Sequence, residues 1–126
     1  WGTFGGEVES YETPQDGFIR ELREELGWTP AALELYRAYP YAQDTQLIYF
    51  FAARVDVPLG QLVLGEGQGM AFFAPDALPE TLVPDLRPVI ERFAASEACR
   101  SLMAAVPYNA LPIAVGVSGS NRGIAR

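Results

Sequence analysis

The segment from Thr13 to Gly27 carries a start signal and a stop signal for a helix, and it constrains the fold more than any other stretch. Thr13 suits the N-cap, Pro14 suits the first helical position, and Asp16 occupies the third position of a capping box. Apolar residues recur at helical spacing and are expected to face a core, namely Phe18, Ile19, Leu22 and Leu26. Glycine commonly ends a helix, so the pattern predicts a helix over Pro14 to Leu26.

The rest of the chain favours a mixture of strands, loops and one further helix. The predicted strands are Leu33 to Tyr39, Gln46 to Val55 and Met70 to Phe73. Residues 1–10 are predicted to be a strand end that runs into a loop, and the glycine-punctuated stretch Pro58 to Gly69 is predicted to be a second loop. Pro84 to Ala95 is predicted to be a closing helix. This order indicates an α/β layered domain of the α+β kind.

The chain is poor in two residue types on which much enzyme chemistry depends. It has no histidine, and Cys99 is its single cysteine. These counts exclude Ser-His-Asp and Cys-His nucleophilic sites, histidine-ligated metal sites, cysteine-rich zinc sites and an internal disulfide. A metal site in this chain would therefore be built from oxygen ligands, which suit Mg²⁺, Mn²⁺ or Ca²⁺.

Three carboxylates crowd one side of the predicted helix. Glu21, Glu24 and Glu25 lie at positions i, i+3 and i+4, so they project in a similar direction. Their mutual repulsion is relieved when a cation binds, and hard oxygen ligands at this density suit octahedral Mg²⁺, with Mn²⁺ as an alternative. The competing interpretation is a solvated acidic face in which Arg20 and Arg23 pair locally with the glutamates.

These residues belong to a longer pattern of fixed spacing. The pattern is Gly6-x5-Glu12-x7-Arg20-Glu21-Leu22-x-Glu24-Glu25-x-Gly27-Trp28. It matches the Nudix box at every fixed position, and residues 1–95 therefore resemble the domain of Nudix hydrolases. The resemblance implies an α/β/α sandwich with a mixed sheet. The family normally has strands ahead of the box, whereas five residues precede Gly6 in this chain. The first strands are therefore expected to be missing. The chain is expected to be a fragment that is itself inactive or weakly active.

The same resemblance implies roles for individual residues. By it, the metal-binding carboxylates are Glu21, Glu24 and Glu25. The backbone carbonyl of Gly5 is expected to join the metal shell, and Arg20 is expected to hydrogen-bond and orient the glutamates. Glu12 is expected to play a supporting part. A role in which its carboxylate accepts hydrogen bonds from backbone amides, and so fixes the loop, explains this residue at least as well as a catalytic role.

A second acidic element lies in the glycine-rich loop 65–69. In Nudix enzymes that act on nucleoside triphosphates, a glutamate in a similar E-G-Q loop reaches the metal site, where it is a ligand or the general base. Glu66 is the candidate for that role, and a plain surface turn is the alternative. The predicted catalytic set is therefore Arg20, Glu21, Glu24, Glu25 and Glu66.

The resemblance implies a Mg²⁺-dependent hydrolase in which water attacks a diphosphate linkage. A nucleoside triphosphate is the favoured substrate, while nucleotide sugars, ADP-ribose and diadenosine polyphosphates stay open. The alternative from another class is a catalytically silent Nudix-fold module that binds a nucleotide and regulates a partner. A net charge of −7 argues against a nucleic-acid partner. A cytoplasmic setting without membrane contact is expected, and a homodimer is compatible with the sequence.

The segment 96–126 lies beyond the resemblance. It is expected to be a C-terminal extension that is weakly structured, or that contributes a strand to the sheet through the apolar run Leu111 to Val117. The predicted division is thus a Nudix domain over residues 1–95 followed by this extension.

Overall fold

The computed structural model describes residues 1–41, 46–65, 68–104 and 113–119 of the chain. Its elements in chain order are α1 (Pro14–Leu26), β1 (Leu33–Tyr41), β2 (Gln46–Arg54), a 3-10 turn (Leu59–Gln61), α2 (Leu86–Ala94), α3 (Glu97–Ala104) and β3 (Ile113–Gly119). Strand β2 lies between β1 and β3, and both pairings are antiparallel. The combination of helices with a sheet confirms the predicted fold class.

Helix α1 begins and ends where the sequence predicts. The side-chain oxygen of Thr13 accepts a hydrogen bond from the backbone N–H of Asp16 at 3.1 Å, which caps the first turn. Gly27 has φ 60° and donates its N–H to the Arg23 carbonyl at 3.0 Å. A side chain is strained at that φ, so glycine ends the helix here.

The apolar side of α1 packs against one face of β2. The buried members of this first core cluster are Phe18, Leu22, Leu26, Trp28, Phe51, Ala53, Val55 and Leu62. The rings of Phe18 and Phe51 stack with centroids 5.3 Å apart. Ile19, which the spacing also places towards a core, is half-buried. This packing fixes the helix that carries the candidate carboxylates against the sheet.

The other face of β2 is covered by a second core cluster. Its buried members are Ile48, Phe50, Leu82 and Leu86, and Tyr36 packs against them. The Phe93 ring of α2 meets Tyr36 edge-on at 5.1 Å. The burial of β2 on both faces explains its continuous run of apolar residues. The prediction of a buried strand is therefore confirmed. The predicted closing helix is also confirmed, with α2 shorter by two residues at its start and by one at its end.

Two segments differ from the sequence predictions. Met70 to Phe73 forms no strand, and among the described residues no backbone segment pairs with it. Met70 and Phe72 instead pack against the first core cluster. The chain beyond residue 95 contains α3, which the sequence did not predict, and β3, which pairs with β2. Leu111 and Pro112 lie outside the described residues, and the domain boundary at residue 95 stays a prediction.

No helix within the described ranges is long and apolar enough to cross a membrane.

Candidate metal centre

The backbone at Gly5 and Gly6 lies directly against two carboxylates of α1. Gly5 is buried with φ 147°, and its N–H donates a hydrogen bond to Glu25 Oε2 at 3.1 Å. A β-carbon on Gly6 would overlap the carboxylate of Glu21. A side chain would therefore be strained at Gly5, and one at Gly6 would displace the carboxylate of Glu21 from its place against the backbone.

The three carboxylates differ in their exposure to water. Glu21 and Glu25 are buried at 7% and 4% exposure, whereas the side chain of Glu24 is 61% exposed. The carboxylates of Glu21 and Glu25 are thus held between the helix and the glycine segment, and that of Glu24 lies at the protein surface beside them. Buried carboxylates are costly unless hydrogen-bond donors or cations accompany them, so this arrangement favours positive charge nearby.

Arg20 is the positive group that joins the carboxylates. Its Nη1 lies 2.8 Å from Glu21 Oε1 and 3.6 Å from Glu24 Oε2. Its Nε and Nη2 donate to the two oxygens of Glu12 at 3.2 and 2.8 Å, and Nη2 also donates to the Glu7 carbonyl at 2.8 Å. The hydrogen bond to Glu12 first, and that to Glu21 second, raise the pKa of Arg20, so the guanidinium stays charged.

Glu12 fixes the loop that leads into α1. Its Oε1 accepts the backbone N–H of Glu9 at 2.8 Å while both of its oxygens bind Arg20. The hydrogen bond from Arg20 first, and the backbone hydrogen bond from Glu9 second, lower the pKa of Glu12. The geometry matches the supporting role that the sequence suggested, since this carboxylate holds both the loop and the arginine.

The segment before residue 66 is tied to the C-terminal end of α1. Val63 donates its N–H to the Leu26 carbonyl at 3.0 Å, and Gly65 donates to the Glu25 carbonyl at 2.8 Å. A β-carbon on Gly65 would overlap the carbonyl oxygen of Glu24. This close approach was missed at the sequence level, although the glycine at 65 was a signal for it. Glu66 itself lies outside the described residues.

The donors at this end of α1 suit a hard divalent cation in their chemistry. They are carboxylate oxygens of one helix, with the buried backbone of Gly5 beside them. Across the ranges that the structure describes, no three acidic or cysteine side chains converge in a geometry that would hold a metal ion. The structure therefore links Gly5 to Glu25 by a hydrogen bond, and Arg20 to Glu21 and Glu24 by ion pairs, without gathering the three glutamates around one point.

The chain is similar to characterised hydrolases. The profile of the NUDIX domain family matches residues 1–93. The 8-oxo-dGTP diphosphatase of Haemophilus influenzae is 38% identical over 64 residues, which are 51% of this chain and 47% of that protein. The CTP pyrophosphohydrolase of Escherichia coli is 33% identical over 101 residues, 79% of this chain and 75% of that protein. The chain thus spans about half the length of the first relative. No solved structure matches it significantly.

Proposed function

The chain belongs to the NUDIX domain family, and from this premise we propose that it hydrolyses a diphosphate linkage of a nucleoside triphosphate or a related nucleoside-diphosphate derivative with a divalent cation. The observation that carries the proposal is the contact of two buried α1 carboxylates, Glu21 and Glu25, with the glycine segment 5–6. The names of both relatives, a diphosphatase of 8-oxo-dGTP and a pyrophosphohydrolase of CTP, support it.

The cation would be held by oxygen atoms of this group. Glu21, Glu24 and Glu25 are the proposed ligands, with the Gly5 carbonyl and Glu66 completing the shell. When bound, Mg²⁺, or Mn²⁺ in its place, supplies positive charge against the diphosphate and lowers the pKa of a coordinated water. The support is the donor set itself, which offers carboxylates and backbone oxygens without a nitrogen or sulfur ligand.

The proposed chemistry of the chain's own residues is positioning and proton transfer. Arg20 holds Glu21 and Glu24 through its Nη1. A carboxylate, either Glu66 or a box glutamate, accepts a proton from the attacking water. The water oxygen then bonds to phosphorus while the bridging P–O bond breaks on the opposite side, and the leaving phosphate departs with the electron pair. No covalent intermediate with the protein is required.

The candidacy of Glu66 is supported by the residue that precedes it. Gly65 is hydrogen-bonded to the Glu25 carbonyl and lies too close to Glu24 for any side chain. The last described residue before Glu66 therefore lies beside the helix that carries the proposed ligands.

Glu24→Gln tests the proposal with little risk to folding, because this side chain is exposed. The amide cannot replace the charge of a carboxylate ligand, so turnover of CTP or 8-oxo-dGTP with Mg²⁺ is expected to fall by at least about 10²–10³-fold. Glu34→Gln, at an exposed position of β1, is the matched control and is expected to retain full turnover. Circular dichroism reports folding of both variants.

Near-normal turnover in Glu24→Gln would contradict the proposed ligand set. A chain that is stabilised against heat by a nucleotide, but never releases phosphate or pyrophosphate, would instead be a silent binding module.

A further inference from the structure

The guanidinium of Arg20 contacts acidic residues on two sides. On one side, Nε and Nη2 donate to the two oxygens of Glu12, and Nη2 donates also to the Glu7 carbonyl. On the other side, Nη1 lies 2.8 Å from Glu21 Oε1 and 3.6 Å from Glu24 Oε2. Arg20 is therefore anchored through Nε and Nη2, whereas its contact with the carboxylates of α1 is made by Nη1 alone.

The two carboxylates at Nη1 are held with different strength. Glu21 is buried, hydrogen-bonded to Nη1 and placed against the backbone of Gly6. The side chain of Glu24 is 61% exposed, and its distance of 3.6 Å from Nη1 exceeds the roughly 2.7–2.9 Å of a charge-assisted hydrogen bond. An exposed ion pair of this kind contributes little free energy, so Glu24 can change partners at low cost.

The third carboxylate of α1 is also fixed in place. Glu25 is buried, and its Oε2 accepts the backbone N–H of Gly5 at 3.1 Å. In the part of the chain that the structure describes, no three acidic side chains converge to hold one ion. At least one carboxylate must therefore move before all three can share a cation, and the exposed Glu24 is the one that can do so without disturbing buried contacts.

Nη1 of Arg20 lies where it opposes this movement. It carries positive charge against Glu24, and a divalent cation offers the same carboxylate a stronger attraction. Arg20 cannot follow Glu24, because the bonds to Glu12 and to the Glu7 carbonyl hold the rest of the guanidinium. A carboxylate that binds the cation therefore leaves Nη1 behind.

We propose that Nη1 of Arg20 and the divalent cation compete for Glu24, so that cation binding breaks this ion pair while Arg20 keeps its contacts with Glu12 and Glu21. The proposal rests on the proposed function for one point, which is that a divalent cation binds at α1. Glu24 is then the ligand that completes the site by moving. Glu12 is a positioning residue, since it holds the guanidinium in place during the exchange.

NMR of the arginine side-chain nitrogens in the ¹⁵N-labelled chain tests the exchange, with Mg²⁺ alone as the probe. Arg20→Lys identifies the Arg20 signals by their loss. Saturating Mg²⁺ is expected to shift the Nη1 signal, because its neighbouring carboxylate leaves, and to spare the Nε signal, because the contact with Glu12 persists. Nε of Arg23 donates to Thr29 on the same helix and is the internal control, which is expected not to move.

Glu24→Gln imitates the exchange before any Mg²⁺ is added. An amide attracts the guanidinium less than a carboxylate does, so the Nη1 signal of this variant is expected near the position that saturating Mg²⁺ gives in the wild type. Further Mg²⁺ is expected to move it much less than in the wild type. Glu34→Gln, at an exposed position of β1, is expected to reproduce the wild-type titration.

The outcomes separate this inference from the proposed function. If Mg²⁺ binds and nucleotides are hydrolysed, but the Nη1 signal stays unchanged or the Nε signal moves with it, the exchange is wrong and the proposed function stands. If Mg²⁺ shifts Nη1 alone and no nucleotide is hydrolysed, the exchange stands and the proposed function fails. Absence of saturable Mg²⁺ binding overturns both.

Discussion

Arg20 is the residue on which the arrangement of the carboxylates most depends. One guanidinium contacts Glu21 and Glu24 and binds both oxygens of Glu12. Three side-chain nitrogens in a fixed planar fork are needed for these contacts, and lysine has one nitrogen. The arginine and the glutamates of the box thus form a network of ion pairs, and not only a set of acidic side chains on one side of α1.

Arg20→Lys is therefore expected to be damaging although it keeps the charge. The ammonium cannot hold Glu12 with two hydrogen bonds and also reach Glu21, so turnover is expected to fall by about 10–100-fold, as for other residues that orient metal ligands. Steady-state kinetics with Mg²⁺ measures this loss. Arg100→Lys changes an exposed pair with Glu97 and serves as the control, since such surface pairs contribute little. Equal activity in both variants would show that the fork geometry is unimportant.

Glu12 links the same network to the acid stability of the fold. Hydrogen bonds from Arg20 and from Glu9 lower its pKa below the ordinary 4.5. A depressed pKa means that this carboxylate contributes stability above about pH 4.5, and that the contribution is lost as pH falls through the lower folded-state pKa. Glu12→Gln is expected to reduce the free energy of unfolding near neutral pH and to flatten its decline below pH 4.5.

Urea unfolding at a series of pH values measures this dependence, with Glu34→Gln as the control. An acid decline of the same steepness in wild type and Glu12→Gln would show that this ion pair does not govern acid stability.

Helix α1 and the segment 62–65 form one unit, because backbone hydrogen bonds join Val63 and Gly65 to the last turn of the helix. The approach leaves no space for a side chain on Gly65. The contact of segment 62–65 with α1 therefore depends on a glycine that lies outside the box.

Gly65→Ala is expected to separate this segment from the helix. The added methyl overlaps the Glu24 carbonyl, and overpacking of this kind costs about 1–3 kcal/mol, with a corresponding fall in the melting temperature and in turnover. Gly60→Ala is the matched control, because a β-carbon there would meet no atom within 4 Å. Calorimetry of both variants checks the difference. A Gly65→Ala protein as stable and active as Gly60→Ala would contradict the contact.

The sequence predicted those parts of the fold that local signals determine. Thr13 and Gly27 define α1 through bonds to residues within four positions, so the bounds were predicted correctly. The stretch 70–73 has a strand-like composition, but a strand also needs a pairing partner, which local pattern does not reveal. The glycines at 6 and 65 signal a close approach, but their partners Glu21 and Glu24 could not be predicted, because these contacts join distant parts of the chain.

Two core clusters cover opposite faces of β2, and the first of them fixes α1, with its acidic residues, against the sheet. The chain carries a net charge of −7, which repels a polyphosphate at long range. A divalent cation at α1 would reverse the field locally and make the approach of the substrate favourable. We therefore expect nucleotide turnover to cease when the cation is chelated.

Titration with Mn²⁺ followed by electron paramagnetic resonance tests directly whether the acidic side of α1 holds a cation, since bound Mn²⁺ loses the signal of the free ion. We expect saturable binding to the wild type that Mg²⁺ competes away, and a loss of at least about ten-fold in affinity in Glu24→Gln, with Glu34→Gln unchanged. Binding of equal strength in all three proteins, or no saturable binding to the wild type, would contradict a metal centre on α1.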